Sequence, residues 1–163
     1  MDTRETPRFI LSQWLTPQTI ELSLRGSHRD AVLEELVSCI PELEKSPEQR
    51  ETLLRALEER EQLCSTGIGD GIALPHARNA IVGLVRNPVL VFGRHQQGIP
   101  FGSIDNQPAK LFFLLVAPTV SQHLQVLARL SRLLREPRLR NQLMVTDRPE
   151  KVIQLIRDAE AGL

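Results

Sequence analysis

Two short runs of this chain, residues 89–92 (Val-Leu-Val-Phe) and 111–116 (Leu-Phe-Phe-Leu-Leu-Val), contain no polar side chain. A strand with one face in water alternates apolar and polar residues, because successive side chains point to opposite faces. Runs without that alternation belong to strands covered on both faces. This constrains the fold more than any other feature: a sheet of such strands needs a helical layer on each side.

The rest of the chain supplies those layers. Residues 18–24 alternate apolar Ile20, Leu22 and Leu24 with polar neighbours and read as a half-buried strand. Ser27 reads as a helix cap, with Asp30 in the first turn and Leu33, Leu36, Val37 and Ile40 along one face; Pro41 ends the helix. Ser46-Pro47 opens a second helix to about Gln62, with Leu53, Leu54 and Leu57 on its apolar side. Asp105-Asn106-Gln107-Pro108 is a turn. Ser121 reads as the cap of a long helix to about Arg135, apolar on more than one side through Leu124, Val126, Leu127, Leu130, Leu133 and Leu134. Pro137 and Pro149 each restart a helix, the last packing through Val152, Ile153 and Ile156. The expected fold is a single-domain α/β sandwich with a central mixed β-sheet flanked by α-helices. Residues 1–11 read as a flexible lead-in, 12–158 as the domain and 159–163 as a C-terminal tail.

Charge excludes several partners. Lys plus Arg balances Asp plus Glu at 20 each, so the chain has no overall field to hold nucleic acid or an anionic membrane. No stretch approaches the ~20 apolar residues of a membrane span, and residues 1–8 lack the apolar core of a signal peptide. A cytoplasmic protein without membrane insertion is expected. Cys39 and Cys64 have no metal-ligand spacing and form no disulfide framework. Cys39 reads as core; Cys64, beside the informative loop, reads either way.

That loop begins at Ser65-Thr66-Gly67-Ile68-Gly69-Asp70-Gly71, which no helix or regular strand tolerates easily, and leads through Ile72-Ala73-Leu74 to Pro75-His76-Ala77-Arg78. Its glycine spacing is not the G-x-G-x-x-G of a dinucleotide site, no helix follows, and there is no P-loop lysine. Amides of residues 67–71 are candidates for cradling an anion. Pro75 fixes the backbone ahead of His76, and a neutral imidazole is a competent nucleophile near pH 7. By itself, a lone loop histidine reads as an ordinary surface residue.

The wider pattern changes that reading. Arg60-Glu61, Ser65-Thr66-Gly67-Ile68-Gly69, Gly71-Ile72-Ala73-Leu74-Pro75-His76-Ala77, Ile104-Asp105-Asn106-Gln107-Pro108 and His123-Leu124 occur in order and spacing over about residues 12–158. Together they resemble the enzyme IIA proteins of the fructose–mannitol class of the bacterial phosphoenolpyruvate-dependent sugar phosphotransferase system, and within it the nitrogen-related branch. The resemblance implies one domain with a mixed sheet flanked by helices. It also implies that His76 accepts a phosphoryl group at Nε2 from a histidine-containing phosphocarrier protein, with His123 hydrogen-bonding near that group and Arg60 binding the phosphate. No cofactor and no metal is implied. The onward partner is either a regulated protein, which the nitrogen-related branch favours, or a sugar-specific permease domain.

Plainer readings stand beside these. Arg60 is also a helix-end cation, and His123 a first-turn helix residue. Thr66 reads as satisfying loop amides. Asp70 replaces the asparagine common in the nitrogen-related branch; a carboxylate there repels an incoming phosphate unless it points outward or pairs with Arg78. His28 and His95 read as surface residues. The arginines at 129, 132, 135, 138 and 140 read as a solvated face or a docking patch for an acidic partner. A metal-dependent hydrolase built on His76, His123 and Asp70 is disfavoured for want of a compact ligand motif.

Overall fold

The structure, a computed structural model, describes residues 10–77 and 84–163. In chain order the elements are β1 (Ile20–Glu21), α1 (Arg29–Val37), α2 (Pro47–Leu63), β2 (Gly67–Gly69), β3 (Ile72–Ala73), β4 (Val89–Ile99), β5 (Ala109–Val116), α3 (Val120–Leu133), α4 (Pro137–Val145) and α5 (Pro149–Ala161). The strands form one sheet in the order β1-β4-β5-β3-β2. The β1–β4 and β3–β5 pairs are parallel and the other two antiparallel, so the sheet is mixed.

The two unalternating runs lie at the centre of this sheet, in β4 and β5. Their side chains divide between two cores. Val89, Val91, Phe112 and Leu114 join Leu33, Leu36 and Leu53 from α1 and α2. Leu90, Phe92, Leu111, Phe113 and Leu115 join residues of α3, α4 and α5, among them Val126, Leu139 and Ile156. Phe92 faces Phe113 across the ladder with ring centroids 5.0 Å apart, a cross-strand aromatic pair. Each of these fully buried side chains stabilises the fold by about 1.5–3 kcal/mol relative to exposure. Gly93 of β4 lies close under α1: a Cβ there would lie 2.6 Å from Leu36 Cδ2.

Several local expectations shift. The first strand is only Ile20–Glu21, because Pro17–Thr19 forms a 3-10 turn closed by Thr16. The cap of α1 is His28, whose Nδ1 accepts the Ala31 N–H, and not Ser27. The cap of α3 is Thr119, whose hydroxyl accepts the Gln122 N–H, and not Ser121. Leu124 is 59% exposed; the buried stripe of α3 is His123, Val126, Leu130 and Leu133. Gly67–Gly69, expected to be loop, is a strand. His95 is half-buried and both ring nitrogens are engaged: its Nδ1 accepts the Gly98 N–H, leaving Nε2 to donate to the Gly26 carbonyl at 2.9 Å. Cys39 is half-buried, with its thiol pushed up to about 11 chiefly by burial, and Cys64 is exposed.

The expected lead-in and tail are joined. Leu11 and Ser12 are buried, and their amides donate to the Glu160 carboxylate at 2.7 and 2.8 Å. Arg129 of α3 donates to the same carboxylate at 3.3 Å. The domain edge placed at residue 158 therefore cuts through α5 and through the contact that holds the N-terminal segment. That contact takes Arg129 out of the presumed solvated face. Arg140 leaves it too, by donating to the carbonyls of Leu134 and Arg135.

Candidate functional site

The site is built on the β3 side of β5. Gly69, Asp70 and Gly71 turn the chain with φ of 92°, 56° and 77°, left-handed values that glycine adopts without strain and aspartate tolerates. Asp105 secures the turn by accepting the Asp70 and Gln107 amides, each at 3.0 Å. Those bonds hold its carboxyl below the usual range. The chain then runs parallel to β5. Lys110 N–H donates to the Gly71 carbonyl at 2.8 Å, and Leu115 N–H donates to the Pro75 carbonyl at 3.1 Å. His76 lies against Leu115 as the last rung.

From Gly71 to His76 is five residues of extended chain, about 16 Å. The glycine turn and the histidine thus occupy opposite ends of the same strand path. The expected cradle of amides from residues 67–71 does not surround His76: β2 pairs with β3, and the Asp70 amide is spent on Asp105. The same separation removes the Asp70 carboxylate from the neighbourhood of His76. Its pairing with Arg78 falls outside the described residues.

At the His76 end the side chains converge. Nδ1 of His76 lies 2.7 Å from the Leu74 carbonyl. A carbonyl only accepts, so Nδ1 carries the proton and Nε2 keeps its lone pair. His123, 6% exposed in the first turn of α3, brings its ring centroid to 5.3 Å from that of His76. Both imidazoles have pKa values pushed down, first by burial; the Leu74 hydrogen bond partly offsets this at His76, and the two rings' mutual repulsion adds to it at His123. Arg60, in the last turn of α2, also lowers the His76 pKa through its charge. In this structure its Nη1 donates to the Cys64 carbonyl. The site brings together, among the described residues, two histidines whose burial favours their neutral forms, with the Arg60 cation near enough to lower the His76 pKa. Among the described residues, no three His, Cys, Asp or Glu side chains gather as a metal ion would require.

One buried group, part of the Arg60-Glu61 motif, was given no role from sequence. Glu61 is 5% exposed and accepts both the Thr66 amide, at 2.9 Å, and the Thr66 hydroxyl. Burial raises its pKa and those bonds oppose the rise. The available signal was an acid in the last turn of a helix, where the dipole disfavours it unless a partner compensates.

The sequence matches a known family. Residues 13–159, which include Arg60, His76 and His123, match the family model described as phosphoenolpyruvate-dependent sugar phosphotransferase system, EIIA 2. This chain belongs to that family. It is 36% identical over 148 residues to a fructose-specific EIIABC component of Bacillus subtilis, covering 90% of this chain but 23% of that much longer protein. It is 34% identical to a nitrogen regulatory protein of Bradyrhizobium diazoefficiens, covering 77% of this chain and 80% of that one. The EIIA 2 fold is equally clear in three dimensions: the nitrogen regulatory protein IIA-Ntr of Neisseria meningitidis superposes with a TM-score of 0.79 at 28% identity, over 90% of this chain and 98% of that one. The five-stranded mixed sheet between helical layers is thus an EIIA-type domain. None of its described helices is long and apolar enough to cross a membrane.

Proposed function

We propose that this EIIA 2 protein accepts a phosphoryl group on Nε2 of His76 from a histidine-containing phosphocarrier protein. The observation that carries the proposal is the hydrogen bond from His76 Nδ1 to the Leu74 carbonyl, which leaves Nε2 as the free nucleophile. In the transfer, the N–P bond of the donor phosphohistidine breaks as the His76 Nε2–P bond forms. The donor imidazole recovers its lone pair. Positive charge building on the His76 ring is stabilised through Nδ1–H by the Leu74 carbonyl, so no proton has to move. The depressed pKa of His76 keeps the lone pair available at neutral pH. His123 donates to a phosphoryl oxygen, and Arg60 swings from the Cys64 carbonyl to another. Such transfer depends chiefly on positioning and on neutralising oxygen charge.

Phosphate on His76 then acts as a signal that selects protein partners in the cytoplasm, in the manner implied by the similarity to nitrogen regulatory proteins. It adds about −1.5 to −2 charges at one surface point, enough to reverse complementarity at an interface. A second reading has support from the identity to the fructose-specific EIIABC component: the phosphate is cargo passed to a permease-linked domain. Incubation with phosphoenolpyruvate, enzyme I and the phosphocarrier tests the shared chemistry. Acid-labile phosphate should appear on the wild type and be absent from His76→Ala; no labelling of the wild type refutes both readings. Onward transfer to sugar identifies cargo. Partner capture that depends on phosphorylation without sugar phosphorylation identifies a signal.

A further inference from the structure

We propose that Glu61 is a positioning residue for His76, acting through Thr66 and Leu74 to hold the imidazole in the Nδ1–H tautomer that exposes Nε2. This builds on the proposed phosphoryl acceptance at His76. Glu61 does not touch the histidine. Its carboxylate grips Thr66 at two points, the amide at 2.9 Å and the hydroxyl. The Thr66 carbonyl accepts the Leu74 N–H at 3.0 Å. The Leu74 carbonyl accepts Nδ1–H of His76 at 2.7 Å. Three residues of the chain are thereby linked to the nucleophile by consecutive hydrogen bonds, and Glu61, Thr66 and Leu74 are 5%, 4% and 3% exposed.

The link is geometric. The Leu74 N–H and C=O belong to different peptide planes, so fixing the first fixes one plane and Pro75 restricts the rotation that carries the second. The Leu74 carbonyl is therefore aimed, not merely near. Thr66 has little freedom to drift: its neighbour Ser65 donates to the Phe101 carbonyl, and Gly67 lies against Ser103 with no room for a Cβ. Without the carboxylate, a buried amide and hydroxyl lose their acceptor, Thr66 turns to find others, and the aim of Leu74 is lost. Burying an acid in the last turn of α2 works against the helix dipole, a cost that a spacer residue would not incur.

Nitrogen-15 NMR of histidine-labelled protein at pH 8 separates this role from mere support of the fold. Wild-type His76 should show the Nδ1–H, bare-Nε2 signature. Glu61→Gln and Thr66→Val should show a mixture containing the Nε2–H form. Phosphoryl uptake should fall by roughly tenfold to a hundredfold, the cost of a small misplacement of reacting atoms. Thr66→Ser keeps both bonds to Glu61 and should restore the signature lost in Thr66→Val. If Glu61→Gln does not fold, Thr66→Val decides alone, since it removes only the hydroxyl bond. A folded variant with the wild-type tautomer overturns the proposal, whatever its rate. The tautomer is read without any phosphate donor, so a wild type that takes no phosphate would refute the proposed function while leaving this test intact.

Discussion

Replacing Glu160 by alanine should unfasten the two ends of the domain from each other. The carboxylate is 7% exposed and accepts from Leu11 N–H, Ser12 N–H and Arg129 Nε. Removing it leaves two buried amides without a partner, at about 1–3 kcal/mol each. The Arg129 side chain is 28% exposed and recovers water, so its loss adds little. The expected destabilisation is about 3–4 kcal/mol, in the range for removing one partner of a buried pair. Glu160→Gln keeps one acceptor oxygen but turns an NH2 toward the other amide, and should cost about half as much. Urea unfolding measures both. With an m-value of about 1–3 kcal/mol per M for a small protein, the alanine midpoint should fall by at least about 1 M. Trp14, the only tryptophan, ends the 3-10 turn that begins at Leu11, so its emission reports that turn directly. In Glu160→Ala the Trp14 transition should precede the far-UV circular dichroism transition. A loss below about 1 kcal/mol with coincident transitions would refute the reasoning.

Other consequences follow from the site and the sheet. His123→Asn should slow phosphoryl uptake about 10- to 100-fold in rapid-quench experiments, the worth of a charge-assisted hydrogen bond of about 1.5–3 kcal/mol. Because the pKa values of His76 and His123 are lowered in the folded state, the unfolded chain binds protons first as pH falls below about 6.5. Stability from these groups is therefore complete above that pH and decreases toward pH 5; urea midpoints across the range should show the decline, and His76→Ala should reduce it. Gly93→Ala places a methyl 2.6 Å from Leu36 Cδ2 and 2.8 Å from Leu24 Cδ1, and overpacking of about 1–3 kcal/mol should lower the melting temperature. Leu124→Glu changes an exposed side chain beside buried His123. It should raise the KM for the phosphocarrier while moving stability by no more than about 0.5 kcal/mol.

The layered fold was legible because β4 and β5 carry their burial in composition: a run such as residues 111–116 has only one kind of home. Both prolines that restart helices, Pro137 and Pro149, also stand where expected, since a proline at the first helical position loses no hydrogen bond. Caps were less legible. Ser27 and His28 are adjacent, and which one bonds the free amide depends on the path of the preceding chain. The glycine segment misled for a different reason. Gly67 and Gly69 suggest a loop by propensity, but here small residues allow β2 to approach Ser103 and Asp105, a tertiary demand that overrides local preference. His76 and His123 are 47 positions apart in sequence, and no local pattern places their rings together; the resemblance to a family supplied that pairing before the geometry did. Glu160 and Arg94 were missed as charged residues in apolar surroundings. Each is buried because it terminates backbone groups: Glu160 the amides of a 3-10 turn, Arg94 the carbonyls of Leu22, Leu143 and Thr146.

The Leu115–Pro75 hydrogen bond ties the residue ahead of the nucleophile to the interior strand of the sheet. A histidine on an independent loop opens and closes without consulting the core. This one shares its backbone support with the most protected strand, so the Leu115 amide should exchange with solvent only through openings close to global unfolding. On the proposed function, His76 is then a fixed point on which charge is added or removed while the scaffold keeps its shape. Partners that distinguish the two forms would have to read an electric field, not a conformational change, and their discrimination should weaken steadily as salt is raised.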